Sequence, residues 1–534
     1  MGGSALAQDA YGAEDTERLP AAPTPEAAQR RQKSLQVSVG RSPTSLDVGN
    51  EADLMAVGDE EASQAQLDNW TFNFKGYLRA SVGASLGPRA DREDGSELHS
   101  PPRIIGSGSG RWEYASLSQN PAMSLYINFS NPRVSANVIM SSGTLGDSSY
   151  DGNWDRLSPG IRQAYLILKW PDAFGHHGGL ALTVGGFANR YGSAGREQVS
   201  SGYYGTYLFG RTHVAGESLA LNIDLTPDTE LVLEHGVGAK LEAIPFLSDE
   251  YVRTYADVTE FDYFEGQGQS AQGSNFLHHA HAGLFHGGWL MFGAHYLNSW
   301  TPNDNAPPGT AVEPGRATVF GAELHIDGDA IGNGYLGYSR ADVEDVFPLG
   351  NALQLVHGST GRSFKESFFG ARSRDPAVAT TTNDTGTVDT VLFQYSLSLA
   401  QYLGRLPLGA RELRTAVYSM FNHAVSPRDP SNSFDREIDT YKLKLGSEVQ
   451  VDLLSFLTLA TQFDYVQPDL DDTEQGYTAI TPRLIFRTTW ATKERVMLSY
   501  THFFLGDTAY PSSPFSDELE ADPDLFTLTA IMSF

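Results

Sequence analysis

The sequence predicts an all-β chain: a transmembrane antiparallel β-barrel of about 18 strands, with 16 as the alternative count, preceded by a disordered N-terminal extension. Three observations lead to this prediction. Apolar and polar residues alternate over strand-length segments, short and long connections alternate between those segments, and the chain ends on the aromatic residue Phe534. This combination is typical of the barrels of the bacterial outer membrane.

Composition excludes several other classes of protein and of site. The chain has 534 residues, no cysteine, and 37 basic against 65 acidic side chains, which leaves a net charge of −28. An acidic chain without a basic stripe argues against nucleic acid as a partner, because phosphate binding needs clustered Lys and Arg. The absence of cysteine excludes disulfides, thiolate zinc sites and Cys nucleophiles, and suits an oxidising compartment. No apolar run reaches the roughly 18 residues of a membrane-spanning helix, so a helical membrane protein is excluded.

The N-terminal part differs in character from the rest. Residues 1–7 end in Ala5-Leu6-Ala7, the small-x-small form of a signal-peptidase site, and we interpret them as the remnant of a signal peptide or an engineered start. Residues 8–68 are rich in Ala, Pro, Gln, Asp and Glu and show no sustained period, which predicts a flexible periplasmic extension. Residues 69–534 are predicted to form the barrel.

The first predicted strand begins at Trp70 and ends at Leu86. One parity is mainly apolar and includes Trp70, Phe72, Phe74, Leu78, Ala80, Val82, Ala84 and Leu86. The other is mainly polar and includes Thr71, Asn73, Lys75, Tyr77, Arg79, Ser81 and Ser85. A period of two held for this length predicts a β-strand with one lipid-facing and one lumen-facing side.

The same alternation recurs further along the chain. It is clearest at 391–399, 441–453, 457–465 and 496–504, and again from Phe526 to Phe534. In nearly every case the charged residues fall on one parity, as a lipid-facing surface requires. The last segment also resembles the terminal strand by which bacterial outer-membrane proteins are recognised for assembly.

The connections support the same fold. Short links are predicted at 131–133, 226–229, 286–288, 328–332, 454–455 and 491–493. Long polar stretches are predicted at 88–119, 242–273, 343–386 and 505–523. Short periplasmic turns on one rim and long external loops on the other are the outer-membrane pattern. The count of 16 stays open because 110–129 and 207–225 are hard to divide into strands.

A barrel of about 18 strands is wide enough to leave an aqueous lumen, so the expected function is passive diffusion of small hydrophilic solutes. Parity predicts the substrate-binding lining, which mixes both charge signs with aromatic rings. Its members are Lys75, Tyr77, Arg79, Tyr126, Tyr165, Lys442, Lys444, Glu448, Asp464, Arg483 and Arg487. Mixed charges with interspersed aromatics favour neutral polar solutes such as sugars, whereas an electrostatic filter would show one dominant sign.

The run from Phe74 to Gly83, FKGYLRASVG, resembles the opening strand of maltoporin-type carbohydrate porins. Members of that family are 18-stranded homotrimeric barrels that pass sugars along a ladder of aromatic rings flanked by charged residues. The resemblance implies that Tyr77 lies on the aromatic path and Arg79 in the polar track, that oligosaccharides are substrates, and that the chain is a homotrimer. The resemblance also implies that the third external loop, here the short segment 191–204, narrows the pore. The longest predicted loop, 343–386, is the alternative candidate for this constriction.

Other sites are weaker hypotheses. His278, His279 and His281 form the densest histidine group, but on a strand His278 points opposite to the other two, so no metal site is predicted there. The acidic segments 469–474 and 517–522 are candidates for Ca²⁺ or Mg²⁺ that bridges to lipid or lipopolysaccharide phosphates.

No nucleophile, zinc-protease or phosphate-loop motif is present, so the chain is not expected to be an enzyme and no other cofactor is predicted. The rival hypothesis is a non-channel outer-membrane barrel, an adhesin or structural protein, whose lumen is plugged by 343–386 or by the N-terminal extension.

Overall fold

The computed structural model describes the strands of the chain and the connections closest to them. The described residues are 70–86, 122–142, 160–171, 173–190, 211–239, 276–300, 316–328, 331–344, 386–400, 402–403, 410–427, 438–467, 470–471, 473, 476–488, 494–505 and 524–533. The predicted extension at 8–68 and the terminal Phe534 lie outside them. No helix among these residues is long and apolar enough to cross a membrane.

The described residues form strands almost throughout. In chain order the strands are β1 Thr71–Leu86, β2 Ala122–Ser130, β3 Val134–Ser142, β4 Gly160–Trp170, β5 Gly178–Arg190, β6 Arg211–Thr226, β7 Thr229–Ala239, β8 Phe276–His286, β9 Leu290–Trp300, β10 Arg316–Gly328, β11 Gly332–Glu344, β12 Gly386–Ser398, β13 Glu412–Ser426, β14 Ile438–Leu454, β15 Leu457–Gln467, β16 Tyr477–Arg487, β17 Arg495–Leu505 and β18 Asp524–Ser533. A short 3₁₀ turn, Gly175–His177, precedes β5.

The strands close into one antiparallel barrel. Each strand pairs with its chain neighbours, and β1 pairs with β18 as well as with β2, which gives a single 18-stranded sheet without a free edge. The closing ladder runs from Tyr77 opposite Ser533 to Leu86 opposite Asp524. The described residues thus confirm the predicted count of eighteen, and the alternative of 16 is wrong.

Alternation along the strands separates the outer from the inner face. On β12, Val391 and Phe393 are exposed, while Thr390, Leu392 and Gln394 on the other parity are buried. Successive residues of a strand point to opposite faces, so the exposed apolar row lies outside and the buried row lines the interior. The parity predicted for β1, β12, β14, β15 and β17 is confirmed.

Two edges of the barrel differ in their connections. We call the edge with the tight turns the turn rim and the opposite edge the loop rim. The predicted short links at 131–133, 226–229, 286–288 and 454–455 are found at the turn rim, where the turns occupy 131–133, 227–228, 287–289 and 455–456. The predicted link 328–332 is described only at 328 and 331–332, and the predicted link 491–493 lies outside the described residues. The same rim carries two longer connections that were not predicted, at 171–177 and 399–411. The predicted loops 88–119 and 242–273 lie outside the described residues. The predicted loop 343–386 does so except for 343, 344 and 386, which belong to β11 and β12, and the predicted loop 505–523 does so except for Leu505, which ends β17.

The outer face is apolar between two aromatic edges. Large exposed side chains such as Leu445, Phe463 and Leu528 occupy its middle. At the turn rim Trp70 stacks on Phe129 with ring centroids 4.4 Å apart. At the loop rim Phe276 and Trp300 stack at 5.7 Å. An apolar band between aromatic girdles is the surface of a membrane-spanning barrel.

Ionisable side chains are also present on the outer face, close to the loop rim, which the one-parity rule did not predict. Asp389 accepts a hydrogen bond from the Tyr338 hydroxyl at 2.6 Å and pairs with Arg340 at 3.3 Å. Asp524 accepts one from the Tyr500 hydroxyl at 2.6 Å and contacts His502 Nδ1 at 2.7 Å. Asp389 and Asp524 lie within three residues of the loop-rim starts of β12 and β18, where headgroups and water replace hydrocarbon, and the Tyr338 and Tyr500 hydroxyls reach them from the middle of β11 and β17.

We expect Leu445→Arg to destabilise the barrel strongly, because Leu445 faces outward halfway along β14. Arginine at the bilayer midplane costs about 2–4 kcal/mol, whereas the same residue near an interface costs about 0–1 kcal/mol. Leu454→Arg, at the turn-rim end of β14, is the matched control. Denaturant unfolding in lipid vesicles measures both, and equal losses of stability would contradict the assignment of a central lipid-facing band.

Candidate functional site

The candidate site is the inner wall of the barrel. Two groups of inward polar side chains are prominent there. The charged arc on β13–β16 comprises Arg414, Tyr418, Lys442, Lys444, Glu448, Gln450, Asp452, Gln462, Asp464, Arg483 and Arg487. The histidine arc on β7–β11 comprises Glu234, His279, His281, His295, Glu323 and Tyr335.

The charged arc pairs opposite charges along the wall. Lys442 and Lys444 point inward from β14, and each side chain is only 2% exposed. Further along β14, Glu448 forms an ion pair at 3.5 Å with Arg483, which reaches it from β16 across the intervening strand. Gln450 donates a hydrogen bond to Glu448 at 2.7 Å. A buried charge is tolerated only when it is paired and hydrogen-bonded, so these contacts are needed to keep the charges on the inner wall.

A second network in the charged arc depends on a glycine. The Tyr418 hydroxyl of β13 donates to Asp464 Oδ1 of β15 at 2.7 Å, and Gln462 donates to Asp464 Oδ2 at 2.7 Å. The strand between them, β14, presents Gly446 at this point. A Cβ atom at Gly446 would collide with the Tyr418 ring, so the ring lies flat across β14 only because that position has no side chain.

Near the turn rim, Asp452 collects several partners. Arg414 Nη2 lies 3.1 Å from Asp452 Oδ2, and Arg487 Nη1 lies 3.8 Å from Oδ1. The Thr458 hydroxyl donates to Oδ1 at 2.5 Å. Four strands, β13 to β16, are thereby joined through one carboxylate, and Arg487 is placed at the same end of the arc.

The remaining predicted lining residues lie apart from the charged arc. Lys75 and Arg79 are half-buried on the inward parity of β1, and Lys75 is paired in register with Tyr126 of β2. Tyr77 lies between them, opposite Ser124 and Ser533, but its side chain is outside the described residues.

Two predicted aromatics are placed on the inner wall of β2–β5. The Tyr126 hydroxyl donates to Asn137 Oδ1 at 2.6 Å. Tyr165 is buried against Phe187 with ring centroids 6.0 Å apart. The sequence-predicted lining is therefore divided between two stretches of wall, β1–β5 and β14–β16.

The histidine arc centres on Glu323 of β10. Its Oε1 lies 3.0 Å from His281 Nε2 of β8, and its Oε2 accepts a hydrogen bond from the Tyr335 hydroxyl at 3.0 Å. The path from Glu323 to His281 crosses β9 at Gly293, where a Cβ would lie 2.5 Å from Glu323 Oε1.

The predicted opposition of His278 to its neighbours is confirmed, because His279 and His281 are buried on the inner wall while His278 contacts exposed His235 on the outer face. Among the described residues, no group of three or more His, Asp or Glu side chains is arranged to hold a metal ion.

The loop-rim part of the wall on β9–β12 is different in character. Leu297, Val319, Val388 and Thr390 are inward-facing and fully buried, with exposures of 0%. Three of these four side chains are apolar, whereas the similarly buried inward side chains Lys442, Lys444 and Gln450 of the charged arc are polar.

Sequence reasoning missed part of both arcs. Tyr418, Gln462, Arg414 and Asp452 have the inward parity, but alternation alone does not say which of them meet. Glu323 and His281 are 42 residues apart in sequence and come together only through the register of β8, β9 and β10. One sequence signal could have revealed these contacts. It is an inward-facing glycine on a strand whose two neighbouring strands both carry long polar side chains that face inward.

No protein-family model and no curated protein matches the sequence. Among solved structures, OccAB1 of Acinetobacter baumannii is 8% identical, with 89% of this chain and 99% of that chain covered and a TM-score of 0.40. The anion-selective porin from Comamonas acidovorans is 9% identical, with 87% and 100% covered and a TM-score of 0.40. OmpT, an outer membrane protein of Vibrio cholerae, is 9% identical, with 89% and 100% covered and a TM-score of 0.35. These TM-scores are too low to assign a function or a family. The fold follows from the strand pairing of this chain.

We expect Gly446→Ala to displace the Tyr418 ring and break its hydrogen bond to Asp464. Hydrogen bonds to charged groups contribute about 1.5–3 kcal/mol, so a loss of that order in unfolding free energy is expected. Tyr418→Phe removes the same bond without crowding β14. In a double-mutant cycle, Tyr418→Phe should cost much less in the Gly446→Ala background than in the parent; strictly additive effects would rule out the coupling.

Proposed function

We propose that the chain is a channel of the bacterial outer membrane for passive diffusion of small hydrophilic solutes. The observation that carries the proposal is the charged inner wall. Lys442, Lys444, Glu448, Asp464 and Arg483 point inward from β14, β15 and β16, although a barrel filled only by its own side chains needs far fewer than eighteen strands.

The outer surface supports the location. The apolar band and its aromatic edges suit a lipid environment, and only closed barrels and helices can span one. Outer-membrane lipid is therefore a partner in the proposal. Lipopolysaccharide at the loop rim is part of it as well, as are Ca²⁺ or Mg²⁺ at the acidic segments 469–474 and 517–522. The second of these segments lies outside the described residues, and so does much of the first.

We also propose that the channel is selective for carbohydrates. This selectivity rests on mixed charges with interspersed aromatics and on the resemblance of β1 to maltoporin-type porins. Tyr126 and Tyr165 would supply ring faces for the sugar, and Lys75 and Arg79 would supply hydrogen-bond donors for its hydroxyl groups. The homotrimer rests on the resemblance alone.

One observation favours a second candidate, a barrel without a conducting pore. Leu297, Val319, Val388 and Thr390 are inaccessible to solvent although they face inward. A plugged lumen would account for that burial, and the protein would then act through its external surface as an adhesin or structural protein.

Conductance in planar bilayers decides between the two candidates. A channel should give discrete open currents from purified, refolded protein, and Lys444→Glu should shift the reversal potential towards cation selectivity because it reverses a charge on the inner wall. Arg340→Glu makes the same charge change on the outer face and should leave the reversal potential unchanged. A folded barrel that passes no current in any preparation would eliminate the channel.

Block of the current by linear oligosaccharides tests the proposed carbohydrate selectivity. If sugars bind along the wall, adding them should block the open current in a concentration-dependent way, and Tyr77→Ala should weaken the block. Lys75→Ala, two residues away on the same parity, separates loss of the ring from a general change in β1. Open current that no oligosaccharide blocks would leave a general diffusion channel and remove the sugar claim.

A further inference from the structure

A pair of histidines on the outer face stands apart from the inner wall. His235 lies on β7 and His278 on β8, diagonally across one register step, with His235 opposite Ala280 and His278 opposite Val237. Their Nε2 atoms are 2.8 Å apart and their ring centroids 4.8 Å apart. His235 is exposed and His278 half-buried, so the pair is accessible from outside the barrel.

The position of the pair places it near the loop rim. His278 is two residues from the start of β8 and His235 four from the end of β7, just inside the stacked Phe276 and Trp300. At about 3.3 Å per residue this is within roughly 7–13 Å of the strand ends, where the apolar band gives way to headgroups. The edge of Tyr296 on β9 packs against His278 and holds that ring in place, with centroids 5.6 Å apart.

From this geometry we propose that His235 and His278 form a binding site for a divalent transition metal, with Cu²⁺ as the preferred ion. Imidazole nitrogen is a ligand that suits copper, nickel and zinc. With metal–nitrogen bonds of about 2.0–2.1 Å, two nitrogens at adjacent positions of a square-planar ion are about 2.9 Å apart, and at a tetrahedral ion about 3.3 Å.

The observed 2.8 Å separation therefore matches the tetragonal geometry of Cu²⁺ and Ni²⁺ and would have to widen for Zn²⁺. Cu²⁺ also binds nitrogen ligands more tightly than Ni²⁺ or Zn²⁺ does. Because the described residues include no group of three suitable ligands, water completes the coordination sphere. The site lies on the outer face, so it is independent of conduction through the lumen.

In the pair without metal, one Nε2 donates the hydrogen bond and the other accepts it. Metal binding needs both Nε2 lone pairs, so the donor ring moves its proton from Nε2 to Nδ1, and no proton is released from the pair. Protons compete with the metal for these lone pairs, so binding should weaken as the pH falls.

Cu²⁺ binding to the purified full-length barrel in detergent tests the proposal. Titration calorimetry should give one strong site per chain, and the electron paramagnetic resonance spectrum should show coupling to two imidazole nitrogens. His235→Asn and His278→Gln should each remove the two-nitrogen signal and weaken binding by at least about tenfold, which is the least that changes around a metal site usually cost. His286→Asn is the matched control, because His286 is a single exposed imidazole on β8 that contacts the Thr229 hydroxyl at 3.0 Å and the Trp289 ring, with centroids 6.5 Å apart, but no second histidine.

Heat-modifiable gel mobility shows that each variant is still a folded barrel. Unchanged copper affinity in both folded variants would overturn the proposal, and so would a wild-type protein that binds no Cu²⁺ at neutral pH. Tighter binding of Zn²⁺ than of Cu²⁺ would overturn the geometric assignment of the ion.

Discussion

The pairing of β1 with β18 is the interaction on which the rest of the structure depends. Within a bilayer no water is available for the N–H and C=O groups of a free strand edge, and each unsatisfied group costs several kcal/mol. The ladder from Tyr77 and Ser533 to Leu86 and Asp524 supplies those partners and leaves no edge. Closure also decides what every other residue meets. Once the sheet is a cylinder, one parity of each strand faces lipid and the other faces the interior, so the alternation in the sequence becomes a division between two environments.

Charges on the inner wall are held by partners on the next strand but one. Asp464 meets Tyr418 across Gly446, and Glu323 meets His281 across Gly293. In both cases the strand between contributes a residue without a side chain, so a long polar group lies along the wall instead of projecting away from it. This arrangement pairs each charge close to the wall, which the low dielectric of a buried site makes necessary. Each such contact therefore depends on residues from three neighbouring strands, so a single lining residue does not determine the charge that the wall presents.

The outer face is less uniform than a simple lipid-facing surface. Its middle is apolar, but near the loop rim imidazole, phenol and carboxylate groups meet in small clusters around Asp389, Asp524 and His423. The closely spaced pair of His235 and His278 belongs to the same zone. All of these groups lie where the surrounding medium changes from hydrocarbon to headgroups and water, so the cost of exposing them is small. The outer edge is thus a chemically active part of the surface, distinct from the interior that would carry solutes.

The sequence by itself determined the fold class, the parity of the well-patterned strands and the position of most tight turns, because a period of two and the turn residues are local properties. It left the number of strands between 18 and 16, and the pairing of the sheet decided for 18. The sequence also placed Lys442, Lys444, Glu448, Asp464, Arg483 and Arg487 on the interior. It could not decide which of them meet, since the contact of Glu448 with Arg483 depends on the register of β15 between them. Nor could it foresee the carboxylates on the outer face at the loop rim, because alternation contains no information on depth in the membrane. Register and depth are set by closure of the whole sheet, and only the tertiary structure decides them.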